Sequence, residues 1–179
     1  MDLGALICLP GQPDCLHCPL KKECLAYQRG SVPDRPVKAT KKIIPHITVT
    51  AAVIRRKGKV LIARRPSKGL LGGMWEFPGG KQKAGESLPE TLVREIREEL
   101  AAQVEVGELL GVYRHAYTHF RVTLHAFHCK LVGADPKPLE ASELAWVKPG
   151  ELTAYPMGRI DRRISTDLQS DLKTAAHSR

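Results

Sequence analysis

The most constraining feature of this 179-residue sequence is a glycine-rich stretch over residues 69–85 that runs directly into a predicted helix over residues 87–102. Ser87 is followed by Pro89 in the first turn and by Glu90 three residues after the cap, which is the pattern of a helix N-terminus. Apolar side chains recur along one stripe of this helix, at Leu88, Leu92, Ile96 and Leu100, and we expect that stripe to face the core.

Three acids occupy a neighbouring stripe of the same helix. Glu95, Glu98 and Glu99 are spaced i, i+3 and i+4, so they share one face and repel one another. A hard divalent cation such as Mg²⁺ or Mn²⁺ reverses that repulsion, because it needs several oxygen ligands. The alternative is an ordinary solvated face on which Arg94 and Arg97 pair with these acids.

The loop and the helix together follow one fixed spacing: Gly80, five residues, Glu86, seven residues, and then Arg94-Glu95-Ile96-Arg97-Glu98-Glu99. This spacing resembles the Nudix box. One position departs from the family pattern, because Ala101 stands where the family has a late glycine. Alanine is small and suits a helix, so we expect only a minor change in packing there.

The resemblance implies a role for each residue of this segment. It assigns metal binding to the Gly79 carbonyl group and to Glu95, Glu98 and Glu99. It also implies that Arg94 orients Glu98 or its neighbours by a charge-assisted hydrogen bond, and that Glu86 supports the junction between loop and helix. These roles make Arg94, Glu95, Glu98 and Glu99 the candidate catalytic residues.

The resemblance also implies a reaction, which is the attack of water on a phosphorus atom of a nucleoside diphosphate linkage. Bound Mg²⁺ or Mn²⁺ would neutralise the developing charge and lower the pKa of the water, while a carboxylate accepts its proton. Family members often draw a further carboxylate from a later loop. Glu140 and Glu143 lie in that region; Glu140 is the preferred candidate, and a solvated loop acid is the alternative.

A second resemblance is carried by residues 72–81, Gly-Gly-Met-Trp-Glu-Phe-Pro-Gly-Gly-Lys. They look like the segment shared by 8-oxo-dGTP hydrolases and the C-terminal domain of adenine DNA glycosylases. Residues 115–120 are similar to the glycosylase loop that contacts 8-oxoguanine, which makes Tyr117, Thr118 and His119 candidate base contacts. Arg65 stands where 8-oxo-dGTP hydrolases carry an arginine near the phosphates, although a solvated strand end is the alternative.

Four cysteines cluster near the start of the chain, at Cys8, Cys15, Cys18 and Cys24. Their spacing is similar to that of the [4Fe–4S] loop of the same glycosylase superfamily, and thiolates so spaced can close around a cubane cluster. A structural zinc ion is the alternative. Disulfides are the less expected outcome, since we expect a cytoplasmic chain in which thiols stay reduced.

The predicted organisation is a cysteine-rich loop at residues 1–30, a proline-broken basic linker at residues 31–45 and a packed domain at residues 46–179. The domain is predicted to be a mixed α/β sandwich, the α/β/α arrangement with a mixed sheet that the Nudix resemblance implies. Its predicted elements are strands at residues 47–55, 59–64, 109–114, 121–132 and 144–147 and a closing helix at residues 161–173.

The composition indicates which classes of ligand and which location to expect for this protein. The formal charge is +9, which favours phosphate-bearing ligands, although a soluble basic surface is the alternative. No run of 18 apolar residues is present, so no membrane span is predicted. The expected location is the cytoplasm, because the N-terminus lacks the pattern of a secretory signal.

Two functions are therefore expected. The first is a Mg²⁺- or Mn²⁺-dependent pyrophosphohydrolase of oxidised purine nucleoside triphosphates such as 8-oxo-dGTP. The second is a detached 8-oxoguanine-recognition part of an adenine DNA glycosylase, which would bind DNA containing that base without catalysis of its own. Adenine excision by this chain alone is not expected, because the sequence begins almost at the first cysteine.

Overall fold

The computed structural model describes residues 3–37 and 44–177, and side chains up to residue 170. The chain divides into two compact units, at residues 1–43 and 44–179. In the first unit, α1 (Leu3–Leu6) and α2 (Leu25–Gln28) are short helices, and a single 3₁₀ turn follows at Val32–Asp34. Most of the described residues of this unit are exposed.

The second unit contains six strands and two longer helices. The strands are β1 (His46–Arg56), β2 (Lys59–Arg64), β3 (Trp75–Glu76), β4 (Gln103–Ala116), β5 (Arg121–Val132) and β6 (Glu143–Val147). The helices are α3 (Leu88–Leu100) and α4 (Arg159–His177), with a 3₁₀ turn at Pro149–Ala154 before α4.

The strands form one mixed sheet. Its order is β3-β2-β1-β5-β4, and β6 also pairs with β2. The β1–β5 pair is parallel, with His46 opposite Arg121 and Ile54 opposite Cys129, whereas the other pairs are antiparallel. The strand pairing therefore confirms the predicted mixed sheet.

The two helices cover opposite faces of the sheet, because successive strand residues point to opposite sides. Ala51 and Val53 belong to a buried cluster with Ile160, Ile164 and Leu168 of α4. Ala52 and Ile54 belong to a second cluster with Leu92, Ile96 and Leu100 of α3. The expected α/β/α sandwich is thus confirmed.

The start of α3 follows the sequence prediction. Ser87 is the N-cap: its hydroxyl accepts from the Glu90 backbone N–H, and the Glu90 carboxylate accepts from the Ser87 N–H at 2.8 Å. The end of α3 differs from the prediction. The helix ends at Leu100 and not at residue 102, because Ala101 adopts a left-handed backbone with φ of 49° and ψ of 30°. The presence of Ala101 in place of the family's glycine therefore affects the backbone conformation at the end of α3, and not the side-chain packing that the sequence predicted.

The other predicted elements are present with altered bounds. Strands β2 and β5 match, whereas β4 begins six residues before its predicted start at residue 109 and α4 begins before residue 161. The two-residue β3 was not predicted. No helix among the described residues combines the length and apolar character that crossing a membrane requires.

Candidate active site

The glycine-rich loop lies along β1 as an irregular extra strand. Thr50 N–H donates to the Gly80 carbonyl at 2.9 Å, Ala52 N–H donates to that of Pro78 at 2.8 Å, and Gln82 N–H donates to that of Thr48 at 3.0 Å. Gly79 has φ of 148°, and a Cβ there would lie 2.3 Å from the Thr50 carbonyl oxygen. Only glycine allows the loop to approach β1 this closely.

Gly80 leaves room for a carboxylate. A Cβ on Gly80 would lie 2.3 Å from the carboxyl carbon of Glu95, so the absence of a side chain creates the space in which that acid sits. Glu99 reaches the same loop, because its Oε2 accepts from the Gly79 N–H at 3.2 Å. The loop and α3 therefore bring Gly79, Gly80, Glu95 and Glu99 together.

Arg94 connects the acids on one face of α3 (Glu95 and Glu98) to each other and to the loop. Its Nη1 donates to Glu95 Oε1 at 2.7 Å and to Glu98 Oε2 at 3.0 Å. Its Nη2 also donates to the Lys81 carbonyl, at 3.0 Å. One guanidinium group thus sets the positions of two of the three predicted metal ligands and ties them to the loop.

Glu86 balances the charge of Arg94. It accepts from Arg94 Nε at 2.6 Å and Nη2 at 2.9 Å, and also from Thr91 Oγ1 at 3.0 Å. The hydrogen bonds from Arg94 lower the pKa of Glu86 to about 2. The same ionic contacts raise the pKa of Arg94, so the pair stays charged.

Glu99 lies in the opposite electrostatic setting. Burial, and after it the negative charges of Glu76, Glu95 and Glu140, raise the pKa of Glu99 to about 8. The hydrogen bond from the Gly79 N–H offsets this only in part. Burial and the neighbouring acids therefore both oppose the ionisation of Glu99, and ionisation of all the acids together would leave an excess of negative charge that a bound cation could balance.

This excess charge suits a divalent cation. The candidate donors are the carboxylates of Glu95, Glu98 and Glu99 and the Gly79 carbonyl, all of them hard oxygens of the kind that Mg²⁺ and Mn²⁺ prefer. Within residues 3–37 and 44–177, no three His, Cys, Asp or Glu side chains stand already arranged as a metal site. The donor chemistry fits the ion, although the carboxylates are held by Arg94 and the loop.

The two later-loop acids differ in position. The Glu140 N–H donates to the Glu99 carbonyl at 3.4 Å, and the Glu140 charge contributes to the raised pKa of Glu99. Glu143 instead accepts from Arg64 Nη1 at 3.3 Å. Of the two, Glu140 is therefore the one whose charge reaches the acidic face.

A second group of charged residues lies at the start of the loop. Arg65 donates to Glu76 through Nη1 and to the Leu70 carbonyl through Nε, the latter at 3.1 Å. Asp161 accepts from the Phe77 N–H at 3.0 Å. Burial, assisted by the charge of Glu76, raises the pKa of Asp161 to about 7.

Neither Glu76 nor Asp161 was among the sequence candidates. Glu76 is mostly buried, and burial raises its pKa against the opposing charge of Arg65. Glu76 entered the predictions only within residues 72–81, and Asp161 only within the predicted helix at residues 161–173. The available signal was an acid within an apolar run, between Trp75 and Phe77, and an acid in the first turn of α4.

The predicted base-contact loop forms a tight turn between β4 and β5. The Tyr117 N–H donates to the Phe120 carbonyl at 2.8 Å, and their rings stack with centroids 4.7 Å apart. Tyr117 is partly buried against the α4-side core cluster, whereas Thr118 and His119 are exposed at the tip. The structure therefore brings only Tyr117 to the core, and leaves the other two side chains free to meet a ligand.

The four N-terminal cysteines converge within the first unit. Cys8, Cys15, Cys18 and Cys24 all line one small cavity of about 30 Å³. None is in a disulfide. Burial, followed by the charges of the other three cysteines, raises the pKa of Cys15. Thiols are the donors that a soft metal centre uses, but within the described residues these four are not arranged as a metal site.

Comparison with known sequences places the second unit in a family. A sequence profile described as the NUDIX domain matches residues 49–167, which contain the loop, α3 and most of the sheet. The chain belongs to the Nudix family. The match begins within β1 and ends within α4, so it includes both helices that cover the sheet.

Several curated proteins resemble this Nudix chain. The CTP pyrophosphohydrolase of Escherichia coli is 38% identical over 115 residues, covering 64% of this chain and 85% of that protein. A Mycobacterium tuberculosis protein whose name proposes an 8-oxo-dGTP diphosphatase is 35% identical over 131 residues, covering 72% of this chain and 92% of that protein. Among solved structures, the E. coli ORF135 protein aligns with a TM-score of 0.65 at 35% identity, over 71% of this chain and 91% of that one.

Adenine DNA glycosylases are more distant relatives. The human enzyme is 25% identical over 198 residues, covering 84% of this chain and 36% of the glycosylase, so this chain spans about a third of that enzyme. Because 84% of 179 residues exceeds the length of the second unit, the similarity extends into the cysteine-containing unit.

Proposed function

We propose that this Nudix protein is a Mg²⁺- or Mn²⁺-dependent pyrophosphohydrolase of nucleoside triphosphates, with 8-oxo-dGTP as its preferred substrate. The observation that carries the proposal is the Arg94 network, which holds Glu95 and Glu98 beside Glu99 and the Gly79–Gly80 loop. Named relatives with CTP pyrophosphohydrolase and proposed 8-oxo-dGTP diphosphatase activities support the reaction class.

The proposed division of labour follows from the contacts. Glu95, Glu98, Glu99 and the Gly79 carbonyl would hold the ion, which when bound supplies charge neutralisation and a lowered water pKa. Arg94 donates to Glu98 Oε2 at 3.0 Å, whereas Lys83 Nζ lies 3.8 Å from Oε1, so Oε1 is the less tightly held oxygen of this half-exposed acid and is proposed to accept a proton from the attacking water. The water oxygen forms a bond to phosphorus, the bridging P–O bond breaks, and the products are the nucleoside monophosphate and pyrophosphate.

Recognition of the oxidised base is proposed for the other end of the site. An 8-oxo purine has an acceptor at O8 and a proton on N7, so it needs one donor and one acceptor that guanine does not. Tyr117, Thr118 and His119 provide such groups on the β4–β5 turn. Asp161 adds a carboxyl group that can donate or accept near neutral pH, since its pKa is raised to about 7. Arg65 is proposed to lie towards the phosphates.

The test is pyrophosphate release in the presence of Mg²⁺ or Mn²⁺. Glu98→Gln should lower turnover of 8-oxo-dGTP by about two decades or more without loss of folding, because it removes a proton acceptor and no core volume. The control is Glu108→Gln, an exposed acid on β4. Equal turnover in the wild type and Glu98→Gln would refute the assignment. A higher specificity constant for CTP than for 8-oxo-dGTP would correct the substrate alone.

A second candidate function is recognition of 8-oxoguanine in DNA. It is favoured by the similarity to adenine DNA glycosylases, which covers most of this chain. The measurement is the affinity of the Glu98→Gln protein, without divalent metal, for duplexes that differ only in one 8-oxoguanine. Preferential binding of the oxidised duplex supports this function. Equal affinity for both duplexes contradicts it.

We further propose that the four N-terminal cysteines hold a [4Fe–4S] cluster, with structural zinc as the alternative. The support is their convergence on one cavity together with their spacing. Protein purified without oxygen should contain iron and sulfide and absorb visible light. Cys18→Ala should remove the iron, whereas Cys129→Ala, a buried cysteine in β5, should not. Zinc without iron would establish the alternative.

A further inference from the structure

An open groove of about 770 Å³ lies on the sheet at the start of β1 and β5 and the end of β4. Its lining contains two arginines, Arg114 and Arg121, and three histidines, His46, His115 and His125. No acidic side chain lines it. The other lining residues are apolar or carry hydroxyl groups, so all the charged and titratable groups of this concave surface are arginines and histidines, which suits an extended anion.

The strand register explains why these groups converge. His46 pairs with Arg121 across the parallel ladder, and Arg121 pairs with Ala116 of β4. Two residues further along, Thr48 pairs with Thr123, which pairs with Arg114. Since every second residue of a strand faces the same side, these two rows of side chains lie on one face of the sheet.

A third row of paired residues lies next to these two rows on the same face. Thr50 pairs with His125, which pairs with Val112 of β4. The Thr50 hydroxyl is buried and has no hydrogen-bond partner among the described residues. Thr50 itself does not line the groove, which offers two arginines together with the hydroxyl groups of Thr48 and Thr123, spread over three strands about 10 Å across.

The charges in the groove are not paired with acids. Arg114 and Arg121 are exposed, and neither forms an ion pair among the described residues. His46 Nε2 lies 2.9 Å from Thr123 Oγ1, so it contacts a hydroxyl rather than a carboxylate. Burial, and after it the charge of Arg114, lowers the pKa of His125.

Most of this groove lies on the opposite side of the sheet from the proposed base-reading end, and the two meet at His115, whose ring centroid is 4.5 Å from that of Tyr117. Even-numbered residues of β1 share the side of the sheet on which Ala52 and Ile54 pack against α3. Asp161, Tyr117 and Val49 belong to the other side, which α4 covers. Binding of the nucleotide base therefore does not explain the positions of His46, Arg114 and Arg121, which call for a ligand of their own.

We infer that this groove binds the sugar–phosphate backbone of single-stranded nucleic acid, which goes beyond the hydrolysis proposed above. A single backbone carries regularly spaced phosphates, which match a groove that contains two arginines without acidic partners and two threonine hydroxyl groups. The distant similarity to adenine DNA glycosylases is consistent with a nucleic-acid ligand. Binding is sequence-independent, because the groove offers charge and hydroxyl donors rather than a base pocket.

The test uses the full chain and a fluorescently labelled oligothymidylate, whose pyrimidine bases avoid the proposed 8-oxo-purine site. Arg114→Glu should weaken binding by about fivefold or more at low salt, and Arg114→Gln should weaken it less. The matched control, Lys59→Glu, makes the same change of charge at the far end of the sheet, where Lys59 is exposed. It should change affinity by less than about twofold.

Two further readouts make the result decisive. The slope of log affinity against log salt should fall by about 0.7 for each arginine removed, since each phosphate contact releases counterions. Hydrolysis of 8-oxo-dGTP by Arg114→Glu should be unchanged, so loss of DNA binding and failure of the hydrolase proposal can be told apart. Equal weakening by Arg114→Glu and Lys59→Glu would overturn the inference, as would equal competition by poly-glutamate, because either shows attraction by overall charge alone.

Discussion

Arg94 holds both carboxylate oxygens of Glu86 with two of its nitrogens, at 2.6 and 2.9 Å. This fork-to-fork contact joins the loop before α3 to the middle of the helix. The remaining guanidinium nitrogen of Arg94, Nη1, donates to both Glu95 and Glu98. Glu86 therefore acts on the candidate metal ligands without touching them, by fixing the arginine that does.

We expect Arg94→Lys to lower turnover strongly, because lysine keeps the charge but cannot serve three carboxylates in fixed directions. The expected loss in kcat for 8-oxo-dGTP is about 10- to 100-fold, the scale at which small displacements of catalytic groups are felt. Arg97→Lys is the matched control, since Arg97 is exposed on the same helix. Comparable activity in wild type and Arg94→Lys would contradict the role given to the fork.

Asp161 should make stability depend on pH. Burial raises its pKa from 3.8 to about 7, so the folded state retains a proton that the unfolded state releases. The free energy of unfolding should therefore fall as the pH rises from about 4 to about 7, by at most about 4 kcal/mol. Asp161→Asn keeps the acceptor for the Phe77 N–H and removes this fall.

The measurement for Asp161 is urea unfolding of both proteins across that pH range. Glu151→Gln, an exposed acid in the 3₁₀ turn before α4, serves as the control and should leave the pH profile of the wild type intact. Parallel profiles for wild type and Asp161→Asn would show that Asp161 titrates normally.

Ala101→Gly should stabilise the protein. Ala101 ends α3 in a left-handed conformation, with φ of 49°, that costs an alanine about 1 kcal/mol and a glycine nothing. The expected gain in the free energy of unfolding is therefore about 1 kcal/mol. Ala102→Gly, at the next residue, is buried and lacks a positive φ, so it should destabilise. If Ala101→Gly and Ala102→Gly both lower the free energy of unfolding, the strain assigned to the left-handed Ala101 is refuted.

Thr118→Val tests the proposed base contact. The change keeps the shape and removes the hydroxyl group, so the preference for 8-oxo-dGTP over dGTP should fall by about 5- to 100-fold, or about 1–3 kcal/mol. Thr118 is exposed in the free protein, so folding should be unaffected. The readout is the ratio of the two specificity constants, with Thr153→Val as an exposed control. A constant ratio would mean that the base is recognised elsewhere.

The sequence was informative where contacts are local. The Ser87–Glu90 cap and the shared face of Glu95, Glu98 and Glu99 depend on spacings of three or four residues, which a helix converts directly into neighbours. The β1–β2 hairpin is local in the same sense. Strand β3 escaped prediction because two residues carry no periodic pattern, and it exists only through pairing with β2.

The contact between Phe77 and Asp161 escaped prediction for a different reason. Asp161 and Phe77 are 84 residues apart in the chain, and only the packing of α4 against the sheet brings them within 3.0 Å. Nothing in either local sequence indicates the other. The left-handed Ala101 was also out of reach, since alanine is an ordinary helix residue and gives no sign of the conformation imposed on it.

The hydrogen bond between Phe77 and Asp161 has a consequence for how such a protein can diversify. The carboxylates and their arginine come from one continuous segment, residues 79–99, whereas the groups proposed to read the base come from two other places in the chain, the turn at residues 117–119 and Asp161. Under the proposed function, mutations in Tyr117 or Asp161 can therefore alter which nucleotide is chosen while the segment proposed for hydrolysis is inherited unchanged. Proteins descended from one ancestral gene could therefore come to act on different nucleotides long before the reaction that they catalyse changes.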